Sequence, residues 1–255
     1  MQWAAVKAVV TGGASGLGLA VAQRIVQGGG RVALLDCNRV LAQQVAETLG
    51  DHAIAIETDV GDDDSVNAVV QQAHTTFGGL NVAVNCAGIL SGEKMLSQDR
   101  VMATAEFEQV MAVNVLGTFR VCRAVAQVMQ SHAPMASGER GVIVNTASIA
   151  AFEGQVGQVA YSASKGAIVS MTLPMARELS RHHIRVFTIA PGVFETPMLA
   201  ALSEEQRSAL AQQMAFPRRL GCVDEFAQMV QQVVENSMLN GAVIRLDGGM
   251  RLSTR

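Results

Sequence analysis

Aromatic residues make up only 4% of these 255 residues, and among them are one tryptophan and a single tyrosine, Tyr161. Any acid or base chemistry that needs a phenol has one bearer. Cysteine is as sparse. Cys37, Cys86, Cys122 and Cys222 form no C-x-x-C pair, and the five histidines make no ligand-spaced set with them. This excludes a thiolate metal centre and leads to the expectation of reduced, mostly buried thiols in a cytosolic compartment. Basic charge is not in excess: 19 Lys and Arg stand against 22 Asp and Glu, a formal net charge of −3. Nucleic acid and anionic membrane are therefore excluded as main partners. No apolar run reaches the ~18 to 20 residues of a membrane span. Met1-Gln2-Trp3 leads straight into an apolar stretch, without the basic region and small-residue cleavage site of a secretory signal.

What the chain does have is apolar material, 49% of residues, enough to bury a sizeable core. Short β-branched runs alternate with amphipathic stretches. AAVKAVVT (4–11), RVALLD (31–36), AIAIETDV (53–60), LNVAVNCAG (80–88), GVIVNTAS (141–148), RVFTIAPG (185–192) and GAVIRLDGG (241–249) read as strands. Between them, helices are predicted near 16–29, 38–49, 64–77, 105–131 and 158–181. Near-continuous hydrophobic strands separated by helices predict a doubly wound α/β fold of the Rossmann type, with about seven parallel strands buried on both faces. No linker or repeat divides the chain, so one domain over 1–255 is expected. Three stretches leave the rhythm: insertions at 89–105 and 130–141, and 194–220, which reads as helical and as a lid over a substrate site.

TGGASGLG (11–18) follows the first strand directly and opens the first helix. Gly12, Gly16 and Gly18 let the backbone turn tightly and approach a ligand, and with Ser15 and Leu17 they predict a pyrophosphate at the helix N-terminus. Asp36 ends the second strand about 20 residues past the glycines, where a carboxylate accepts from adenosine ribose hydroxyls and repels a 2′-phosphate. This predicts NAD rather than NADP; Arg39 is the one feature against it. Asp59 and Val60 end the third strand, with Asp59 either meeting the adenine amino group or capping the next helix. Asn85, Cys86, Ala87 and Gly88 end the fourth, with Cys86 expected as a small buried residue lining the adenosine pocket.

In YSASK (161–165), Tyr161 and Lys165 share one helix face at i and i+4, and Ser148 sits at the carboxyl end of the preceding strand, where parallel sheets gather their sites. A tyrosine pKa of about 10 must fall by roughly 2 to 3 units for the phenol to act as a base. An ammonium at about 4 Å supplies an effect of that size. Tyr161 is therefore predicted as acid and base, Lys165 as the group that lowers its pKa and holds the nicotinamide ribose, and Ser148 as the donor to the substrate oxygen.

Together these residues resemble the short-chain dehydrogenase/reductase family: TG-x3-G-x-G at Thr11 to Gly18, N-x-A-G at Asn85 to Gly88, Y-x3-K at Tyr161 to Lys165, and the turn Pro191-Gly192. The resemblance covers nearly the whole chain. It implies that Asn114, in NVLGTF, holds a water that links the lysine to solvent, and that Thr196 and the backbone near Phe194 hold the nicotinamide carboxamide. On its own residues, Asn114 reads as a helix-kinking or core-satisfied amide. The stretches 145–179, 190–199, 216–221 and 240–251 are further similar to the type 2 3-hydroxyacyl-CoA dehydrogenase subgroup, which also carries an insertion after the fourth strand. That similarity implies a short-chain or branched 3-hydroxyacyl-CoA substrate, fatty acid metabolism and a homotetramer, with cytoplasmic placement expected here. Lys94 and Arg100 are either contacts for CoA phosphates or solvated loop charges. Other secondary alcohols or hydroxysteroids, a 3-oxoacyl-carrier-protein reductase that would use NADPH, and a non-catalytic NAD-binding scaffold stay open as alternatives.

Overall fold

A computed structural model describes residues 1–199 and 202–254. Ala200 and Ala201, inside the predicted lid, and the last residue, Arg255, lie outside the described residues. Seven strands form one sheet: β1 Lys7–Thr11, β2 Arg31–Asp36, β3 Ala53–Glu57, β4 Val82–Asn85, β5 Gly141–Thr146, β6 Ile184–Pro191 and β7 Val243–Leu246. Every neighbouring pair is parallel, in the order β3-β2-β1-β4-β5-β6-β7. The order reverses between β1 and β4, so a crevice opens beyond their carboxyl ends, where open α/β sheets hold ligands.

Successive strand side chains point to opposite faces, and both faces are apolar. Ala8, Val10, Val32 and Leu34 pack beneath α1 (Gly16–Gln27) and α8 (Val223–Glu235). Val9, Ala33 and Leu35 pack beneath α3 (Asp63–Phe77), α5 (Thr118–Gln130) and α6 (Val159–Ser180). Each fully buried Val, Leu or Ile contributes about 1.5–3 kcal/mol, so the packing of helices on both faces of the sheet carries much of the apolar stabilisation. α2 (Arg39–Leu49) covers the β2 and β3 side and α4 (Thr104–Met111) precedes α5. Among the described residues, no helix is long and apolar enough to cross a membrane.

The structure differs from the sequence expectation in four places, one of them the thiols: of the four expected to be mostly buried, Cys37 and Cys222 are exposed. Most strands end before their hydrophobic runs do. β3 stops at Glu57, β4 at Asn85 and β5 at Thr146, because the following residues leave the ladder to line the crevice. The helix expected over 105–131 is interrupted by a π segment, Ala112–Gly117, that joins α4 to α5. Such widened turns redirect side chains and recur at functional sites. The stretch 194–220 is less helical than its composition suggests: a 3-10 turn at Pro197–Leu199 and α7 at Glu204–Gln212 are its helices among the described residues. Pro197 and Pro217 interrupt it, and α7, capped by Ser203 and Gln206, has no fully buried residue to anchor it.

Candidate active site

The turn from β1 into α1 leaves no room for side chains. A Cβ on Gly12, whose φ is +62°, would lie 3.0 Å from Ala87 N, and one on Gly18 would collide with the Gly12 carbonyl. Ser15 takes the N-cap position of α1 in extended conformation without its side chain bonding the helix. The first-turn amides of α1 thus face the crevice as a cradle for an anion. At the end of β2, the Asp36 carboxylate is fixed from two sides, accepting from Ala14 N at 3.1 Å and Asn38 N at 3.0 Å. Arg39 turns away: it is 79% exposed and stands 3.9 Å from Glu57. A cradle with bare backbone at one point and an oriented carboxylate beyond it fits a dinucleotide.

These groups open into a cavity of about 570 Å³. Of the predicted site residues, all but Asn85 and Asn114 line it. A second cleft of about 600 Å³ lies between α3 and α5, lined by His74, Arg123 and Ser131, and holds none of them.

Asn85 is the correction to the predicted cofactor set. It is the last residue of β4, so its side chain still obeys the strand alternation and enters the helix layer. There its Nδ2 donates to Asn145 Oδ1 at 2.8 Å and to Cys122 Sγ at 3.4 Å. Asp59 lines the cavity, but its Oδ1 accepts from Gly61 N at 2.7 Å in its own turn. The cap of α3 is Asp62, which accepts from Asp64 N and Ser65 N. Cys86 lines the cavity with its thiol pushed up to about 11 by burial. Phe194 is held by backbone bonds on either side of it, Gly221 N to Val193 O at 3.0 Å and Glu195 N to Gly221 O at 2.9 Å. The loop then brings Thr196 over the glycine turn, where a Cβ on Gly16 would lie 3.5 Å from its methyl.

Ser148 lies two residues past β5, buried, with Oγ accepting from Ala150 N at 3.1 Å. Burial holds the Tyr161 pKa above its ordinary value, and the Ser148 hydroxyl, which favours the phenolate, offsets this only in part. The expectation that Lys165 lowers it is not met. Lys165 Nζ donates to Thr146 O at 2.9 Å instead and stands 5.6 Å from the tyrosine ring centre. Burial pushes the lysine down to about 8. The amide of Asn114, in the π segment, is tied to one residue twice: Oδ1 accepts from Ile89 N at 2.8 Å and Nδ2 donates to Ile89 O at 2.9 Å. Nδ2 also donates to Ser164 Oγ at 3.0 Å. A Cβ on Gly88 would lie 3.2 Å from Asn114 Oδ1 and 3.6 Å from Lys165 Nζ, so the amide and the ammonium flank the same backbone position.

The family described as short chain dehydrogenase matches residues 6–207. The chain belongs to that family. As a short-chain dehydrogenase it is an oxidoreductase, and dehydrogenases of this kind use a nicotinamide cofactor. It is 50% identical over 247 residues to the 3-hydroxyacyl-CoA dehydrogenase type-2 of Homo sapiens, covering 96% of this chain and 95% of the relative. To the protein of the same name in Drosophila melanogaster it is 49% identical over 246 residues, 96% of each. The crystal structure of 3-hydroxyacyl-CoA dehydrogenase type-2 from Mycobacterium avium superposes with a TM-score of 0.95 at 37% identity, covering 100% of this chain and 99% of that one.

In this short-chain dehydrogenase, the lining residues that went unpredicted near Ser148 include Gln155, Gln158 and Leu252. The glutamines precede YSASK by a few residues, and a polar pair in a Gly-containing loop just before a catalytic helix is a usable signal. Leu252 carries none, because its arrival depends on the path of the chain after β7.

Proposed function

We propose that the protein is an NAD-dependent dehydrogenase of 3-hydroxyacyl-CoA, interconverting the 3-hydroxy and 3-oxo forms of a short or 2-methyl-branched acyl group. The observation that carries this reading is the convergence of Ser148, Tyr161 and Lys165 in the same cavity whose far end holds the fixed Asp36 carboxylate. The names of relatives near 50% identity support the acyl-CoA substrate.

When bound, the nicotinamide cofactor supplies the hydride acceptor or donor. The cofactor would be held by the glycine turn, by Asp36 on the adenosine ribose, by Lys165 on the nicotinamide ribose, and by the 191–196 loop. The chain's own work is done on the proton and the oxygen. Ser148 donates to the substrate oxygen and steadies it. Tyr161 gives its proton to that oxygen in reduction and, as the phenolate, takes it back in oxidation. Lys165 supplies positive charge beside the ring, stabilising the phenolate that appears when the proton leaves. Asn114, fixed to Ile89 beside Lys165, would hold the water through which that proton exchanges with solvent. Asp36, with Arg39 turned to Glu57, supports NAD over NADP and so argues against the NADPH-dependent carrier-protein reductase.

The stretch 194–220, with its lightly anchored α7, would close over the substrate. Exposed Phe119 on α5 and Leu173 on α6 offer apolar faces for the self-association the family implies. The deciding experiment is a panel of 3-hydroxybutyryl-CoA, its 2-methyl analogue, longer acyl-CoAs and steroid alcohols with NAD and with NADP. The expected result is turnover of the short acyl-CoAs with NAD; turnover confined to non-CoA alcohols would overturn the substrate assignment.

A further inference from the structure

After β7 the chain doubles back. Met250 N donates to Asp247 O at 3.0 Å, Gly249 N to Asp247 Oδ1 at 3.0 Å, and the Met250 side chain is fully buried. This turn also carries the segment behind the lid, since Phe216 N donates to Gly248 O at 3.1 Å. Beyond it, residues 252–254 lie along the loop that leads into α6. Leu252 N donates to Glu153 Oε2 at 3.1 Å, Gln155 Nε2 to Ser253 O at 3.0 Å and Val156 N to Thr254 O at 3.4 Å.

One carboxylate organises this contact. Glu153 accepts from Arg245 Nη1 at 2.7 Å, and Arg251 Nε stands 3.3 Å from it. Arg245 reaches the turn as well, donating to Asp247 Oδ2 at 2.8 Å and to Met250 O at 2.9 Å. The loop before the catalytic helix and the tail after β7 are thus clamped on the same arginine and the same glutamate. The side chain so positioned is Leu252, which lines the cavity and packs in a cluster with Ile149, Met214, Leu199 and Leu210. Ile149 is the immediate neighbour of Ser148. Beside the serine one part of the wall is hydrocarbon, and it comes in part from a segment held by hydrogen bonds and ion pairs rather than by the sheet.

We propose that Leu252 is a specificity-determining residue that limits the alkyl group next to the reacting carbon, and that Glu153 is the residue that positions it. The inference rests on the secondary-alcohol chemistry proposed above. A leucine at this wall takes up the space that a longer or bulkier alkyl chain needs, and a difference of a methylene or more in an apolar pocket is worth about 10- to 200-fold in discrimination.

The test is the ratio of kcat/KM for 3-hydroxyoctanoyl-CoA to that for 3-hydroxybutyryl-CoA. Leu252→Ala is expected to raise it by about tenfold or more, with the change carried in the KM of the long substrate. Glu153→Gln, which keeps the size and removes the charge, is expected to move the ratio in the same direction, and to add nothing further in a Leu252→Ala background because both act through one side chain. An unchanged ratio in folded Leu252→Ala overturns the wall; additive effects overturn the role of Glu153. Thermal melts establish folding, and Leu252→Ala decides the main point even where the Glu153 variant does not fold. Turnover of 3-hydroxybutyryl-CoA by the wild type tests the functional reading separately. Where no acyl-CoA is oxidised, the same comparison is made with octan-2-ol against butan-2-ol, and an enzyme silent on both series overturns the wall together with the function.

Discussion

Lys165 Nζ stands 2.9 Å from the Thr146 carbonyl oxygen and 5.6 Å from the centre of the Tyr161 ring. The ammonium is therefore bonded at the end of β5 rather than to the phenol. At an effective dielectric near 20, unit charges at such a separation interact by about 3 kcal/mol. That is enough to stabilise a phenolate when one forms, but it does not offset the burial that keeps the resting tyrosine protonated. In the proposed reaction the pair would serve as a proton donor with a cation beside it.

This arrangement makes Tyr161→Phe a clean variant. The ring and its packing stay, while the only phenol in the chain goes. Turnover is expected to fall by about 10²- to 10⁴-fold, the usual contribution of a positioned acid or base, with cofactor binding retained in a fluorescence titration. Turnover near that of the wild type would remove Tyr161 from the reaction.

The lysine predicts a pH dependence of stability. Burial pushes its pKa from the ordinary 10.5 of a solvated lysine down to about 8. The unfolded chain thus binds more protons than the native one between about pH 8 and 10.5, and the cost of burying the charge, roughly 3 kcal/mol, is present below pH 8 and relieved as pH rises through that window. Lys165→Met is expected to stabilise the protein at pH 7 by up to about 3 kcal/mol while abolishing activity, and the gain is expected to shrink by pH 10. Urea midpoints at the two pH values measure it. A variant less stable than the wild type at pH 7 would mean that the bond to Thr146 outweighs the desolvation.

At the other end of the cavity, Asp36→Ala removes a carboxylate that is already oriented by Ala14 N and Asn38 N. Hydrogen bonds to a charged group are worth about 1.5–3 kcal/mol, so kcat/KM for NAD is expected to fall by about 10- to 150-fold. The loss with NADP is expected to be smaller, because the repulsion of a 2′-phosphate goes with the carboxylate. Initial rates with the two cofactors decide it, and an unaltered preference would place discrimination elsewhere.

Sequence legibility followed contact range. The α/β order, the glycine turn, Asp36 and the i, i+4 pair of Tyr161 and Lys165 are local patterns, and each could be read from spacing alone. Asn85 misled for a physical reason: a strand's last residue can belong to either face, and only the register with Asn145 decides which. The resting ionisation of Tyr161 also lay beyond the sequence, because it is set by burial and by the competing carbonyl of Thr146, neither of which has a local signature. The same holds for Leu252, brought to the cavity by a clamp between Glu153 and Arg245 that are 92 positions apart.

Asn114 shows how a residue can serve the site through its backbone neighbours. Its amide satisfies both the N–H and the C=O of Ile89, and Ile89 itself lines the cavity. Asn114→Ala would leave two part-buried backbone groups unpaired at about 1–3 kcal/mol each, and would free the strand-end segment that bears Gly88 beside Lys165. A loss of about 2–6 kcal/mol is expected in the urea midpoint at unchanged slope. Activity should fall further than the folded fraction does, since the loop it releases lines the cavity. Asn114→Asp separates the two contributions: an ionised carboxylate still accepts from Ile89 N but cannot donate to Ile89 O. Recovery of stability toward the wild type without recovery of activity would assign the amide's N–H to the reaction, whereas parallel recovery of both would make Asn114 a scaffold residue alone.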